Sequence, residues 1–278
     1  MSITGVVSES FGIIKKNPIV VLPYFAFLIV AVIGGVLFGL SLVSHLSNNA
    51  AIAALASQTT ITKAMLRGLV GLFLSVLPAF SVFLVIISIV ALFFVGAYIS
   101  LAKQIYGKKK PSLGAAFSES ASRFPSLLGA LIIYTVTLAV IGLILLGAAL
   151  LVSFSNLAAI ALLALIGIIL AIILGVLFFQ AYTLVVIEGK RAVDAVKASI
   201  MIGRQRFWTI VGIGIVVVIL AFATDILRII PLIGWILGFI GSSIIAIMEF
   251  FIPPVFYYTY VKKETKATPA PSKKRKRR

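Results

Sequence analysis

An all-α integral membrane protein with six transmembrane helices is the fold class this sequence predicts, and three observations carry it. Hydrophobic residues fill 62% of the 278 positions, charged residues only 11%, and mean hydropathy is +1.24; soluble domains carry about 25% charged residues. Phe124 to Ile187 runs for 64 residues without one Asp, Glu, Lys, Arg or His. Of the 24 Lys and Arg residues, 21 fall in segments that a six-span chain puts on one side of the membrane.

The uncharged run sets the topology. One crossing takes roughly 20 apolar residues at about 1.5 Å rise each, so 64 residues hold two crossings. They turn at the polar Ser153-Phe154-Ser155-Asn156. Pro125 to Val152 and Leu157 to Val186 therefore form a helical hairpin, with both outer ends on the same side.

From the start of the chain, Ile3, Val6, Val7, Phe11 and Ile14 recur at helical spacing, with Thr4, Glu9, Lys15 and Lys16 elsewhere, which predicts a short amphipathic helix in the interface. Asn17-Pro18 ends it and span 1 follows, about 19–44, too long for a cleavable signal. Within it Ala31, Gly35 and Gly39 stand four apart and suit close helix approach. His45 to Arg67 reads as an outer loop. Pro78 is expected to divide the next apolar run, leaving an interfacial helix before it and span 2 after it, about 79–102.

Lys103 and Lys108-Lys109-Lys110 mark the return to the cation-rich side, and Ser112 to Phe124 repeats the amphipathic theme ahead of spans 3 and 4, about 125–152 and 157–186. Gly167, Ala171 and Gly175 give span 4 a ladder of small residues. Glu188 to Arg206 is a third amphipathic segment, in which Lys190 with Asp194 and Asp194 with Lys197 are spaced for ion pairing. Phe207-Trp208 opens span 5, about 207–224; Asp225 and Arg228 mark an outer turn. Span 6, about 234–260, carries Gly234, Gly238, Ser242 and Ala246 as its small-residue stripe. Residues 1–261 thus form one transmembrane domain, and 262–278 a disordered basic tail. Lys63, Arg67 and Arg228 alone lie opposite the other cations, so the positive-inside rule puts both termini in the cytoplasm of a multi-pass cell-membrane protein. Tyr98, Tyr106, Tyr182, Trp208 and Tyr257 would then form an aromatic belt.

Each pair of spans is introduced by one amphipathic segment, so the unit of interfacial helix plus transmembrane hairpin occurs three times. A Ser followed five residues on by a cation marks each unit: Ser10 with Lys15, Ser118 with Arg123, Ser199 with Arg204. The stretch from Glu188-Gly189-Lys190-Arg191 through Ala198-Ser199, followed by Phe207-Trp208, together with the opening Ser10 to Pro23 and Tyr257-Tyr258, resembles a group of prokaryotic six-span proteins. That group includes the membrane domain attached to some glycerophosphodiester phosphodiesterases and related uncharacterised archaeal and bacterial membrane proteins. In the phosphodiesterases the chemistry belongs to a separate soluble barrel, so the resemblance implies an architecture and brings no catalytic residue.

Candidate sites are few. Glu249 is the one acid well inside a span, on the order of 20 Å from Lys262 along a helix. Burying it costs about 2.5–3.5 kcal/mol, so it is expected to be protonated or paired, with Gln180 or Tyr134 the nearest candidates, or to serve as a proton, cation or substrate site. Gln180, Tyr134, Thr135 and Thr137 are expected either to line a polar cavity with it or to make interhelical hydrogen bonds. Lys273, Lys274, Arg275, Lys276, Arg277 and Arg278 suit anionic lipid headgroups, or the phosphates of ribosomal RNA. Cysteine is absent, and a lone His45 is no metal site, so neither metal nor other cofactor is expected. No nucleotide-binding glycine loop, nucleophile elbow or zincin motif occurs, so no enzymatic activity is expected. The expectation is a scaffold or accessory subunit engaging headgroups and another membrane subunit; the alternatives are a solute or ion transporter built on Glu249, and ribosome docking through the tail.

Overall fold

The computed structural model describes residues 2–47, 63–151, 157–230 and 233–262. In chain order the helices are α1 (Ile3–Lys16), a 3-10 turn (Pro18–Val21), α2 (Leu22–Ser47), α3 (Lys63–Tyr106), α4 (Leu113–Leu151), α5 (Leu157–Phe178), α6 (Ala181–Glu188), α7 (Ala192–Gln205), α8 (Phe207–Leu227) and α9 (Ile233–Phe256), which ends in a wider π turn (Tyr257–Val261). Six stretches are long and apolar enough to cross a membrane: Pro18–Ser44, Ser75–Tyr106, Leu113–Ala149, Ala161–Glu188, Phe207–Leu227 and Ile233–Val261. No strand occurs among the described residues. The expected tail beyond Lys262 and most of the expected outer loop lie outside them.

The proline expected to divide a run does not: Pro78 sits inside α3. Pro125, the expected first residue of span 3, likewise sits inside α4, so the interfacial stretch ahead of each is continuous with the span. In lipid a break leaves several backbone groups without partners, whereas one proline forfeits a single bond that neighbours can offset. The opposite error occurs in the second half of the long uncharged run, where α5 stops at Phe178 and α6 starts at Ala181.

The chain divides into two compact units, Leu22–Phe94 and Met1–Val21 with Val95–Arg278. The first is a hairpin held by rings: Phe38 stacks on Phe83 at 4.8 Å, and Phe27 meets Phe94 at 5.6 Å. Its close-packed glycine is Gly34, where a Cβ would sit 3.5 Å from Phe83; Gly35 and Gly39, expected to mediate the approach, face open space.

In the second unit the core gathers around Tyr98, Leu127, Leu184, Phe251 and Phe256, all fully buried. Tyr98, expected in an aromatic belt, instead stacks on Phe250 at 4.8 Å. Trp208 does project outward, 80% exposed. Farther along α4 and α8 the apolar side chains Ile132, Val136, Leu143, Val218 and Phe222 are exposed, as expected where lipid tails replace water and association depends on shape. α1 packs on α8 and α9, while α7 packs on α4, α5 and α6.

Where helices touch, glycine sets the spacing. A Cβ on Gly203 of α7 would lie 2.8 Å from the Val176 carbonyl oxygen of α5. One on Gly129 of α4 would lie 2.8 Å from Ala192 Cβ, and one on Gly212 of α8 would lie 2.6 Å from Ile3. At the far ends of α8 and α9, Arg228 lies against Gly238, pairs with Asp225 at 2.9 Å and donates to Ser242 Oγ at 2.9 Å.

Candidate functional site

Two places concentrate polar chemistry, and the first is where α1, α3, α4, α6, α7 and α9 bring their ends together. Glu9 accepts a hydrogen bond from the Tyr106 hydroxyl at 2.5 Å. Glu119 accepts from Ser100 at 2.6 Å and pairs with Lys103 at 2.5 Å; Lys103 also donates to the Val186 carbonyl at 3.3 Å. Glu188 accepts from the Tyr257 hydroxyl at 2.7 Å and pairs with Lys190 at 2.8 Å, so Lys190 is not held by Asp194 as its spacing suggested. Tyr106 stacks on Tyr258 at 4.3 Å, and Lys262 sits 4.7 Å above the Tyr258 ring.

These three acids thus hold helices to one another. Lys15, Lys16, Lys108, Lys109, Lys110, Arg191, Lys197 and Arg204 are exposed at the same end, and none forms an ion pair among the described residues. Asp194 and Glu188 are exposed there too, and Glu188 is the one paired, with Lys190. Arg123 is half-buried, its guanidinium 3.0 Å from where a Cβ on Gly189 would lie. Gly189 closes α6 at a φ of 68°, a left-handed conformation that glycine adopts without strain.

The three predicted serines do not share a role. Ser10 is buried and donates back to the Val6 carbonyl one turn earlier, at 2.9 Å. Ser199 is buried against the α5–α6 break: its hydroxyl donates to Leu177 O at 2.7 Å and accepts from the Gln180 N–H at 3.1 Å. Ser118 is exposed, and the buried serine of that segment is Ser120, packed against Gly96. Centring on Ser120 aligns Val6, Val7, Ser10, Ile13, Ile14, all buried, with Ala195, Val196, Ser199, Ile202, Gly203, all buried, and with Ala116, Phe117, Ser120, Arg123, Phe124, of which Ala116 and Ser120 are buried and the rest half-buried. Reading for a cation five residues after a serine missed this register; reading for i, i+1, i+4, i+7, i+8 would have found it.

The second place is intramembrane. Gln180 is fully buried, and its side-chain amide donates to the Pro253 carbonyl at 3.0 Å, linking the α5–α6 break to the Pro253-Pro254 step of α9. Gln180 Oε1 and the Thr183 hydroxyl are buried without a hydrogen-bond partner among the described residues. Glu249 bonds to neither Gln180 nor Tyr134, contrary to expectation: it is exposed on the wall of a cleft of about 690 Å³ bounded by α5, α8 and α9. Tyr134 packs its ring on Phe178 at 5.1 Å, and Thr137 donates to Ile133 O within its own helix. The expected polar cavity is therefore not assembled; Lys273 to Arg278 fall outside the described residues.

No protein-family model, curated protein or solved structure matches the chain.

Proposed function

We propose that this is a non-enzymatic membrane scaffold or accessory subunit whose cation-rich end, on the cytoplasmic side of the cell membrane, engages anionic lipid headgroups. The observation that carries the reading is the sorting of charge at that end. Glu9, Glu119 and Glu188 are taken up in contacts between helices, whereas eight Lys and Arg side chains stand exposed and without ion pairs among the described residues. Such cations contribute about 1 kcal/mol each near an anionic surface. Phe11, 47% exposed, and Trp208, 80% exposed, supply apolar anchors at the same level. The basic run Lys273 to Arg278 would add to this field, and a second membrane subunit would find the same end accessible.

The test is lipid retention. Protein relipidated in an equal mixture of phosphatidylglycerol and phosphatidylcholine, then stripped with mild detergent, should keep the anionic lipid in excess, and the excess should fall as salt rises. Replacing Lys108, Lys109 and Lys110 together with Gln should lower it at least fivefold. Equal retention of the two lipids overturns the proposal. Ribosome docking through the tail is a separate reading with its own outcome: it fails if a chain ending at Val261 co-sediments with ribosomes as well as the full chain does. Transport past Glu249 fails if Glu249→Gln leaves proteoliposome flux unchanged.

A further inference from the structure

The cleft holding Glu249 is built like a ligand site that opens sideways. Its volume of about 690 Å³ lies in the range of roughly 300–1,000 Å³ seen for small-molecule pockets. Every lining side chain except Glu249 is apolar, among them Ile172, Val176, Ile213, Val217 and Ile252. Ile172, Ile215, Val218 and Ile219 on its rim are 53–67% exposed, so the cleft communicates with the surroundings along the flank of the second unit, where the bilayer's hydrocarbon would lie.

Glu249 has no hydrogen bond or ion pair among the described residues. Its backbone carbonyl would normally accept from the residue four ahead, which is Pro253 and has no N–H to give. The Glu249 carboxyl is the one polar side-chain group of the lining, and no lining side chain offers a fixed N–H donor. A carboxylate or phosphate headgroup would meet no partner there, and its desolvation would go uncompensated. A headgroup that is itself a donor, attached to a hydrocarbon body, satisfies both the acid and the walls. A cationic donor does so with charge-assisted hydrogen bonds, roughly twice as strong as neutral ones.

We propose that the cleft between α5, α8 and α9 binds a lipophilic amine entering from the bilayer, its ammonium on Glu249 and its hydrocarbon along the Ile and Val walls. The site is independent of the headgroup-binding end, and either reading can fail alone.

Binding of radiolabelled dodecylamine and of dodecanol, measured by equilibrium dialysis on the full chain in zwitterionic nanodiscs with empty nanodiscs subtracted, tests this. The protein should hold the amine at least tenfold tighter than the alcohol of equal length. Glu249→Gln should erase that difference. Gly214→Leu should weaken both ligands: Gly214 lines the cleft, and a Cβ there meets nothing within 4 Å, so the larger side chain fills the site without a clash at its base. Equal binding of the two probes would mean a groove for acyl chains only and overturns the proposal. So does an amine preference that survives Glu249→Gln, or binding that ignores Gly214→Leu. Should Glu249→Gln fail to yield monodisperse protein, the comparison of the two probes and the Gly214 variant still decide.

Discussion

At the scale of single residues, two of the buried serines, Ser10 and Ser199, make opposite predictions. Ser199 Oγ serves two backbone groups that have lost their helical partners, Leu177 O and the Gln180 N–H. Ser199→Ala should therefore cost about 2 kcal/mol, the penalty of leaving buried polar groups unpaired, read as a lower thermal midpoint in detergent. Ser10 Oγ only doubles a bond on a carbonyl inside its own helix, so Ser10→Ala should cost about 0.5 kcal/mol or less by the same measurement. Gly189→Ala should cost at least about 1 kcal/mol, because its positive φ disfavours any Cβ and Arg123 occupies the space beside it. Among these residues the sequence made Ser10 and Ser199 visible as candidates but could not separate their roles. What separates them is a neighbour far along the chain, since Leu177 and Ser199 meet only once α7 has folded back.

At the scale of elements, spacing is set by glycine where backbones meet. Gly203 touches the Val176 carbonyl, so Gly203→Leu should push α7 off α5 and destabilise by about 1–3 kcal/mol, the usual cost of overpacking. Pro78→Ala should be neutral or stabilising in the same assay, because α3 runs through that position and the replacement restores a missing donor. A helix that ended at Pro78 would give the reverse. Helix existence was legible because 18 or more apolar residues leave few alternatives. Continuity was not. Pro78 and Pro125 carry a breaking signal that the lipid setting overrides, while Phe179-Gln180 carries none, and the helix breaks there where Gly203 and Ser199 of another helix meet it.

At the scale of the whole molecule, the one-sided distribution of Lys and Arg is the boldest sequence feature, and it survives folding as a set of exposed cations. The native chain has no cysteine, so a single introduced thiol reports its own side cleanly. With intact cells and an impermeant maleimide, Ile229→Cys, at a position 78% exposed beside Arg228, should react, whereas Lys108→Cys should react only after permeabilisation. The opposite pattern would reverse the orientation and with it the lipid leaflet that the cations face. Glu249 shows the limit of reading a site from sequence alone. Its place within the last apolar helix followed from the sequence, but its surroundings did not: Gln180 turned out to be bonded to Pro253, and Tyr134 to be packed on Phe178.

The bend between α5 and α6 is closed by a hydroxyl on a segment made later. Synthesis runs from the N-terminus, so residues 157–188 emerge before Ser199 exists to receive the Gln180 N–H. The two hydrogen bonds that Ser199 makes at that bend can therefore form only after α7 has been made. The elbow of this crossing thus takes its closing hydroxyl from the element that follows it in the chain.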